Sequence, residues 1–242
     1  MRMRRLLPAP ADEVDTLDAY VLPDGDPHLR VNMVSSIDGA AAVDGRVGVL
    51  SGTSDGVLLH ELRSLCDVLL VGAGTIRAEG YGPINVTDEQ RQRRVEVGQQ
   101  PVPRLAVLTR TLELDLTAPV FTEATARPLV LTTAQASPGL LGRAGEVADV
   151  VVAGDHEVDL GTAVRELADR GLPRILSEGG PHVLAAMFAA DLVDELCLAI
   201  APVVTAGGEL RITAGPVLDP PRSMRLAHVL ERDEFLFLRY TR

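Results

Sequence analysis

The chain reads as an α/β protein built on a largely parallel sheet with helices on both faces. Three observations predict this class. Short apolar runs recur at 30–35, 67–72, 104–109, 128–132, 149–152, 173–177 and 194–201, bounded by turn residues, as strands buried on both faces require. Amphipathic helical patterns lie between several of them, the alternation that places parallel strands side by side. Finally, 242 residues that are 46% hydrophobic can bury one full core.

Residues 1–28 are rich in Pro and Asp, show little periodicity, and read as an irregular N-terminal arm ahead of a single domain over 29–242. Arg2, Arg4 and Arg5 are followed by no apolar h-region, so no secretory leader is expected and the protein is placed in the cytoplasm. No stretch reaches the roughly 18 consecutive apolar residues that a membrane span needs. The strand at 30–35 runs into Ser35-Ser36-Ile37-Asp38-Gly39. In 54–66, Leu58, Leu62 and Leu65 make the apolar stripe of a helix. The strand at 67–72 leads through Gly72-Ala73-Gly74-Thr75 into a short helical stretch ending at Ala78. The segment 86–101, with Arg91, Arg93, Arg94 and its glutamines, reads as a polar surface excursion.

In 159–170, Asp159 is a natural N-cap, Leu160, Val164 and Leu167 share a face, and Gly171 signals the end. The strand at 173–177 gives way to a helix over 181–190 whose buried stripe is Val183, Leu184, Met187 and Phe188. Runs at 225–231 and 234–240 form an antiparallel hairpin around Arg232-Asp233, which makes the sheet mixed. The apolar residues Leu196, Leu198, Ile200, Val203 and Val204 suit either the core or the sheet edge of a dimer.

Composition removes whole classes of function. The formal net charge is −11, which argues against nucleic acid or an anionic membrane as partner. All basic residues are arginine, so there is no Schiff-base, P-loop or general-base lysine. Trp is absent and aromatics are 3%, too few for a base-stacking platform. Cys66 and Cys197 sit in apolar settings and read as buried thiols. His28, His60, His156 and His228 show no metal-ligand spacing, and no metal is expected. With no metal set and no nucleophile motif, hydride transfer is the chemistry left, in which a cofactor does the hard step.

The strongest local signal is Ser177-Glu178-Gly179-Gly180-Pro181. Two glycines let the backbone approach a ligand, Pro181 suits the first helical position, and free N–H groups of that helix favour a phosphate. An ordinary tight strand-to-helix turn fits the same residues equally well. The turn at Gly72, Gly74 and Thr75 is of the same kind, though it is no G-x-G-x-x-G fingerprint, because Arg77 takes the third position. At the end of 104–109 stand Thr109 and Arg110, where an enzyme preferring NAD has an acid. A hydroxyl and a guanidinium there suit a 2′-phosphate, hence NADPH, while by themselves they fit an ordinary solvated strand end better. Asp38 is either a proton-handling carboxylate or part of a Ser/Asp turn. His182 reads as an exposed helix residue rather than a base.

The motifs Val31-Asn32-Met33-Val34-Ser35-Ser36-Ile37-Asp38-Gly39, Leu62-Arg63, Asp67 to Thr75, Ile175 to Pro181, Leu192 to Leu196 and Ala201-Pro202 occur in this order across roughly 30–240. Together they resemble the reductase domain of riboflavin biosynthesis, which reduces 5-amino-6-(5-phosphoribosylamino)uracil. The resemblance implies a dihydrofolate reductase-like fold, three α/β/α layers with a mixed, mostly parallel sheet, and a homodimer. It implies that Val34 and Ser35 meet the nicotinamide of NADPH. Gly72, Gly74, Thr75, Glu79, Thr109 and Arg110 join the cofactor set, and Gly179, Gly180, Pro181, His182, Val183 and Leu184 hold the pyrophosphate. It places Ser36, Asp38, Arg63 and Glu178 at the substrate, with Asp38 and Glu178 as the catalytic pair.

The chain also departs from that family. After the Gly-Thr turn it reads Arg77-Ala78-Glu79-Gly80-Tyr81-Gly82-Pro83-Ile84-Asn85-Val86, where the family has a second acid and an arginine for the substrate phosphate. The deaminase domain that often precedes this reductase has no counterpart in 1–28, which carry no zinc signature. Three readings follow. The first is an NADPH-dependent reductase of the ribosylaminouracil, the second a dihydrofolate reductase-like enzyme acting on a pterin, the third a nucleotide-binding protein without turnover.

Overall fold

The computed structural model describes residues 1–23, 25–208 and 210–242. Its strands are β1 (Arg2–Leu7), β2 (Ala11–Asp15), β3 (His28–Ser36), β4 (Val68–Gly72), β5 (Arg104–Leu108) and β6 (Leu129–Thr132). They continue with β7 (Asp149–Val152), β8 (Arg174–Ser177), β9 (Glu195–Ala201), β10 (Arg225–Arg232) and β11 (Phe235–Thr241). The helices are α1 (Thr16–Ala19), α2 (Thr53–Leu65), α3 (Ala73–Glu79), α4 (Asp88–Glu96), α5 (Pro119–Thr122), α6 (Pro138–Val147), α7 (Leu160–Asp169) and α8 (Pro181–Ala189).

All strands join one mixed sheet in the order β2-β1-β10-β11-β9-β3-β8-β4-β5-β6-β7. From β9 to β7 neighbours run parallel. From β2 to β9 they run antiparallel, and β10 and β11 form the expected hairpin. Strand alternation divides the core in two. In β4, Leu69 and Val71 enter one cluster with Leu58 and Leu62 of α2. Val68 and Leu70 enter the other with Leu167 of α7 and Leu184 and Met187 of α8. A leucine as fully enclosed as Leu62 or Leu69 contributes about 2 kcal/mol.

Strand β8 inserts between β3 and β4, so the strand order reverses there. Crevices at such a reversal, beyond the carboxyl ends of parallel strands, are where open α/β sheets bind ligands.

Two expectations change, and one open alternative closes. Residues 1–28 are not an irregular arm, because β1 pairs with β10, β2 pairs with β1, and Met3 and Tyr20 are buried in the core. Of the apolar positions in β1 only Met3 is fully enclosed, while Arg2 and Arg4 are exposed and Arg4 pairs with Glu231 across the ladder. An edge strand so charged carries almost no apolar period. The segment 86–101 is likewise not a mere excursion. It holds α4, opened by a capping box between Thr87 and Gln90, and it buries Arg94. That guanidinium donates to the carbonyls of Ser64, Cys66 and Gln100, so polar contacts do the work an apolar stripe does elsewhere. Finally, β9 lies between β11 and β3, so Leu196, Leu198 and Ile200 belong to an interior strand and not to a sheet edge.

Candidate active site

Two crevices open at the carboxyl ends of the parallel strands. The first, about 380 Å³, is lined from β3 by Asn32, Met33 and Val34, from α2 by Asp55, Leu59 and Arg63, and from the end of β8 by Glu178. Thr75, Glu79, Tyr81 and Ser51 complete its polar wall. The second, about 410 Å³, lies over the ends of β4 and β5 and is lined by Gly72 to Gly74, Arg77, Thr109, Arg110 and the first residues of α8.

The two glycine turns that separate the crevices are packed against each other. Gly72 donates its N–H to the Gly179 carbonyl at 2.9 Å. A Cβ on Gly72 would meet Val183 Cγ2 at 2.9 Å, and one on Gly180 would meet Thr75 Oγ1 at 2.8 Å. Gly179 has φ +81°, the left-handed region that glycine tolerates best. Gly180, the N-cap of α8, offers no side-chain hydrogen bond, and Pro181 stands at N1. Gly72 leaves α3 uncapped in the same way. The first residues of α8, with no side-chain cap on their N–H groups, therefore line the second crevice, and Arg77 and Arg110 line it as well. That donor set fits a dinucleotide diphosphate with an additional phosphate near Arg110. Arg110 is exposed and meets Glu157 at 3.2 Å, a solvated pair that a phosphate can displace.

In the first crevice Arg63 and Glu178 form a two-pronged pair, Nε to Oε1 and Nη2 to Oε2, each 2.6 Å. The Tyr81 hydroxyl donates to Oε2 at 2.5 Å, and Arg63 lies over the Tyr81 ring, 5.4 Å from its centroid. Burial works against the charge of Arg63, yet the hydrogen bonds and charge of Glu178 hold its pKa above the ordinary arginine value. Burial, then the Glu178 charge, pushes the Tyr81 phenol well up, so it keeps its proton.

The residues expected at the site separate into four sets. Val34, Thr75, Glu79, Arg63 and Glu178 line the first crevice, Glu79 thus standing on the opposite side of the Gly72 turn from the second. Gly72, Gly74, Thr109, Arg110, Gly180, Pro181, His182 and Val183 line the second. Gly179 lies between them, its carbonyl joining the turns.

Ser35, Ser36, Asp38 and Leu184 line neither crevice. Leu184 is fully buried in the core, and its N–H is spent on the Gly180 carbonyl. Ser35 Oγ donates to the Ser36 carbonyl, and Ser36 Oγ donates to Asp38 at 2.6 Å. Asp38 anchors a turn, the second of the two readings open to it from the sequence. Its exposed carboxylate also accepts the N–H groups of Thr205 at 3.2 Å and Ala206 at 2.7 Å. Those bonds, that of Ser36 foremost, hold its pKa down at about 2.

The sequence reading missed Ser51 and Asp55 as site residues. Asp55 stands four and eight positions before Leu59 and Arg63, so helical spacing from Arg63 back along α2 marks it. Tyr81 was noticed only as a departure, and its contact with Glu178 needs the tertiary fold.

A family described as the RibD C-terminal domain matches residues 27–237. A 2,5-diamino-6-ribosylamino-4(3H)-pyrimidinone 5′-phosphate reductase from Archaeoglobus fulgidus is 28% identical over 182 residues, 75% of this chain and 83% of that protein. The reductase of that name from Methanothermobacter thermautotrophicus is 30% identical over 191 residues, 76% of this chain and 82% of that one. A solved pyrimidine reductase-like protein from Corynebacterium diphtheriae has a TM-score of 0.82 at 29% identity, covering 94% of this chain and 98% of its own.

Proposed function

The chain belongs to the RibD C-terminal domain family, and from that premise we propose that it is an NADPH-dependent reductase of riboflavin biosynthesis acting on a ribosylaminopyrimidine phosphate. Membership of the family brings the dihydrofolate reductase-like fold, seen here as the mixed sheet with its C-terminal hairpin, and an oxidoreductase activity. The observation that carries the reading is the junction of the two crevices at the Gly72–Gly179 hydrogen bond. A dinucleotide whose diphosphate sits at the start of α8 extends from there past Thr75 into the first crevice. The second crevice also carries Arg110, which supports NADPH over NADH.

When bound, the cofactor supplies hydride. The chain's own residues do the rest. The N–H groups of Gly180, His182 and Val183 and the Arg77 side chain would hold phosphate oxygens, Val34 and Thr75 would flank the nicotinamide, and Arg63, Glu178 and Tyr81 form a fixed polar wall against which the substrate ring would be oriented. Preorganised charge of this kind stabilises a transition state without having to rearrange. A cytoplasmic homodimer belongs to the same reading, supported by family precedent. No described helix is long and apolar enough to cross a membrane.

A second reading, reduction of a pterin, is favoured by one observation. Among the described residues the cationic side chain lining the first crevice is Arg63, and Glu178 already engages it, which leaves little to receive a substrate phosphate. The test is NADPH oxidation with 5-amino-6-(5-phosphoribosylamino)uracil, its 2,5-diaminopyrimidinone analogue and dihydrofolate side by side. Turnover of a ribosylaminopyrimidine supports the first reading, and turnover of dihydrofolate alone supports the second. Tight NADPH binding without any turnover leaves a nucleotide-binding protein.

A further inference from the structure

Helix α2 presents Asp55, Leu59 and Arg63 along one edge, and all three line the first crevice. Asp55 is only 6% exposed. Its Oδ2 accepts a hydrogen bond of 2.6 Å from Ser51 Oγ, itself on the crevice wall, and no other hydrogen bond reaches this carboxylate among the described residues. A carboxylate this enclosed ordinarily gathers an arginine or several N–H donors. Asp55 keeps one oxygen for whatever fills the crevice.

Of the other ionisable groups around the crevice, Glu178, Arg63 and Tyr81 are committed to one another, and Glu79 differs from Asp55 in being exposed. Both oxygens of Glu178, beyond β8, accept from Arg63 and Tyr81. The Tyr81 proton is directed at Glu178, and Arg63 holds its charge. Glu79, at the end of α3, is exposed and accepts the Val47 N–H at 3.3 Å.

We propose that Asp55 supplies the proton that completes reduction, giving it to the substrate nitrogen while Ser51 holds the carboxyl in place. This rests on the reductase reading above. The substrate carbon of a C=N bond gains hydride from the reduced nicotinamide, which is thereby oxidised. The π pair of that bond moves to nitrogen, and nitrogen takes the proton as the Asp55 O–H bond breaks. The carboxylate left behind recovers a proton from solvent through the crevice mouth. Burial raises the Asp55 pKa, the Ser51 hydrogen bond opposes this, and the negative charge of Glu178 adds to the rise. Each substrate that closes the crevice strengthens the burial.

The experiment compares wild type with Asp55→Asn and Asp55→Glu. Because the protonated acid is required, kcat of wild type falls as pH rises through the Asp55 pKa. Asp55→Asn is expected to lower kcat about 100-fold, to flatten that limb and to leave NADPH affinity by fluorescence titration unchanged. Asp55→Glu is expected to restore part of kcat. A readout independent of turnover is calorimetry of 5-amino-6-(5-phosphoribosylamino)uracil binding without cofactor, in two buffers of different ionisation enthalpy. Wild type is expected to take up a proton on binding, and Asp55→Asn to take up none. Wild-type kcat and pH profile in a folded Asp55→Asn overturn the proposal alone. Should that variant fail to fold, the absence of proton uptake by wild type overturns it. A wild type that turns over none of the substrates overturns the reductase reading and this proposal with it.

Discussion

The Arg63 guanidinium grips the Glu178 carboxylate through two parallel hydrogen bonds, each 2.6 Å, at the point where α2 faces the end of β8. The pair is largely enclosed, its side chains 18% and 5% exposed. It joins a helix residue to one that stands 115 positions later in the chain, directly before the two glycines of the α8 turn. The wall of the first crevice and the turn bordering the second are thus fixed by one contact.

Removing Arg63 strands Glu178 in a buried place. Arg63→Ala is expected to cost about 3 kcal/mol in urea denaturation and to raise the substrate KM. Arg63→Lys cannot reproduce the two-pronged geometry and is expected to recover only part of the loss. Full stability in Arg63→Ala would show that the pair is not holding the wall.

At Gly179 the left-handed backbone and the neighbouring Met33 Sδ, 3.2 Å from a notional Cβ, leave no room for a branched side chain. Gly179→Val is expected to weaken NADPH binding at least about tenfold, since the strain of an L-residue there is roughly 1–2 kcal/mol before any clash with the ligand. Unchanged affinity in a fluorescence titration contradicts the phosphate turn.

In the proposed reading Arg110 distinguishes the two nicotinamide cofactors. Its loss removes a charged hydrogen bond worth about 1.5 kcal/mol, so Arg110→Ala is expected to weaken NADPH about tenfold. NADH, which lacks the 2′-phosphate, is expected to bind as before. Equal effects on both remove the proposed role.

Asp38 separates a catalytic role from a structural one. Asp38→Asn is expected to lower kcat far less than the roughly 100-fold that loss of a general acid brings. Its pKa is lowered on folding, from 3.8 to about 2. Its contribution to stability is therefore complete above the unfolded value and is lost as pH falls from about 4 towards about 2. Chemical denaturation across that window is expected to show this loss in wild type and not in Asp38→Asn.

Glu195 holds a second buried cluster, with Arg30 Nε at 2.5 Å and Arg239 Nη2 at 2.8 Å, tying β3, β9 and β11 together. Burial opposes its ionisation, but His28 and the two guanidinium groups outweigh that and hold its pKa below the ordinary range. Glu195→Gln leaves two enclosed cations uncompensated and is expected to cost about 3 kcal/mol by urea denaturation. With the folded pKa lowered, wild type loses this contribution as pH falls below the unfolded glutamate value, and the variant does not.

The amino-acid sequence by itself determined the strands from β3 to β11, helices α2, α7 and α8, and both glycine turns. Each announces itself locally, by continuous apolar runs, by an apolar stripe at helical spacing, or by Gly and Pro at a fixed offset from a strand end. It did not reveal β1, β2 or α4, because charged side chains at a sheet edge and a buried arginine bonded to carbonyls leave no apolar period to read. Nor did it decide which polar residues meet. Asp38 looked reactive beside its serines, yet the 205–206 backbone claims its carboxylate from 167 positions away. Asp55 drew no attention in the sequence, and only the fold sets it on one crevice wall with Glu178 and Ser51. Local periodicity records how each element is covered, whereas the partners of a polar group depend on which strand ends the sheet brings together, and only the tertiary structure settles that.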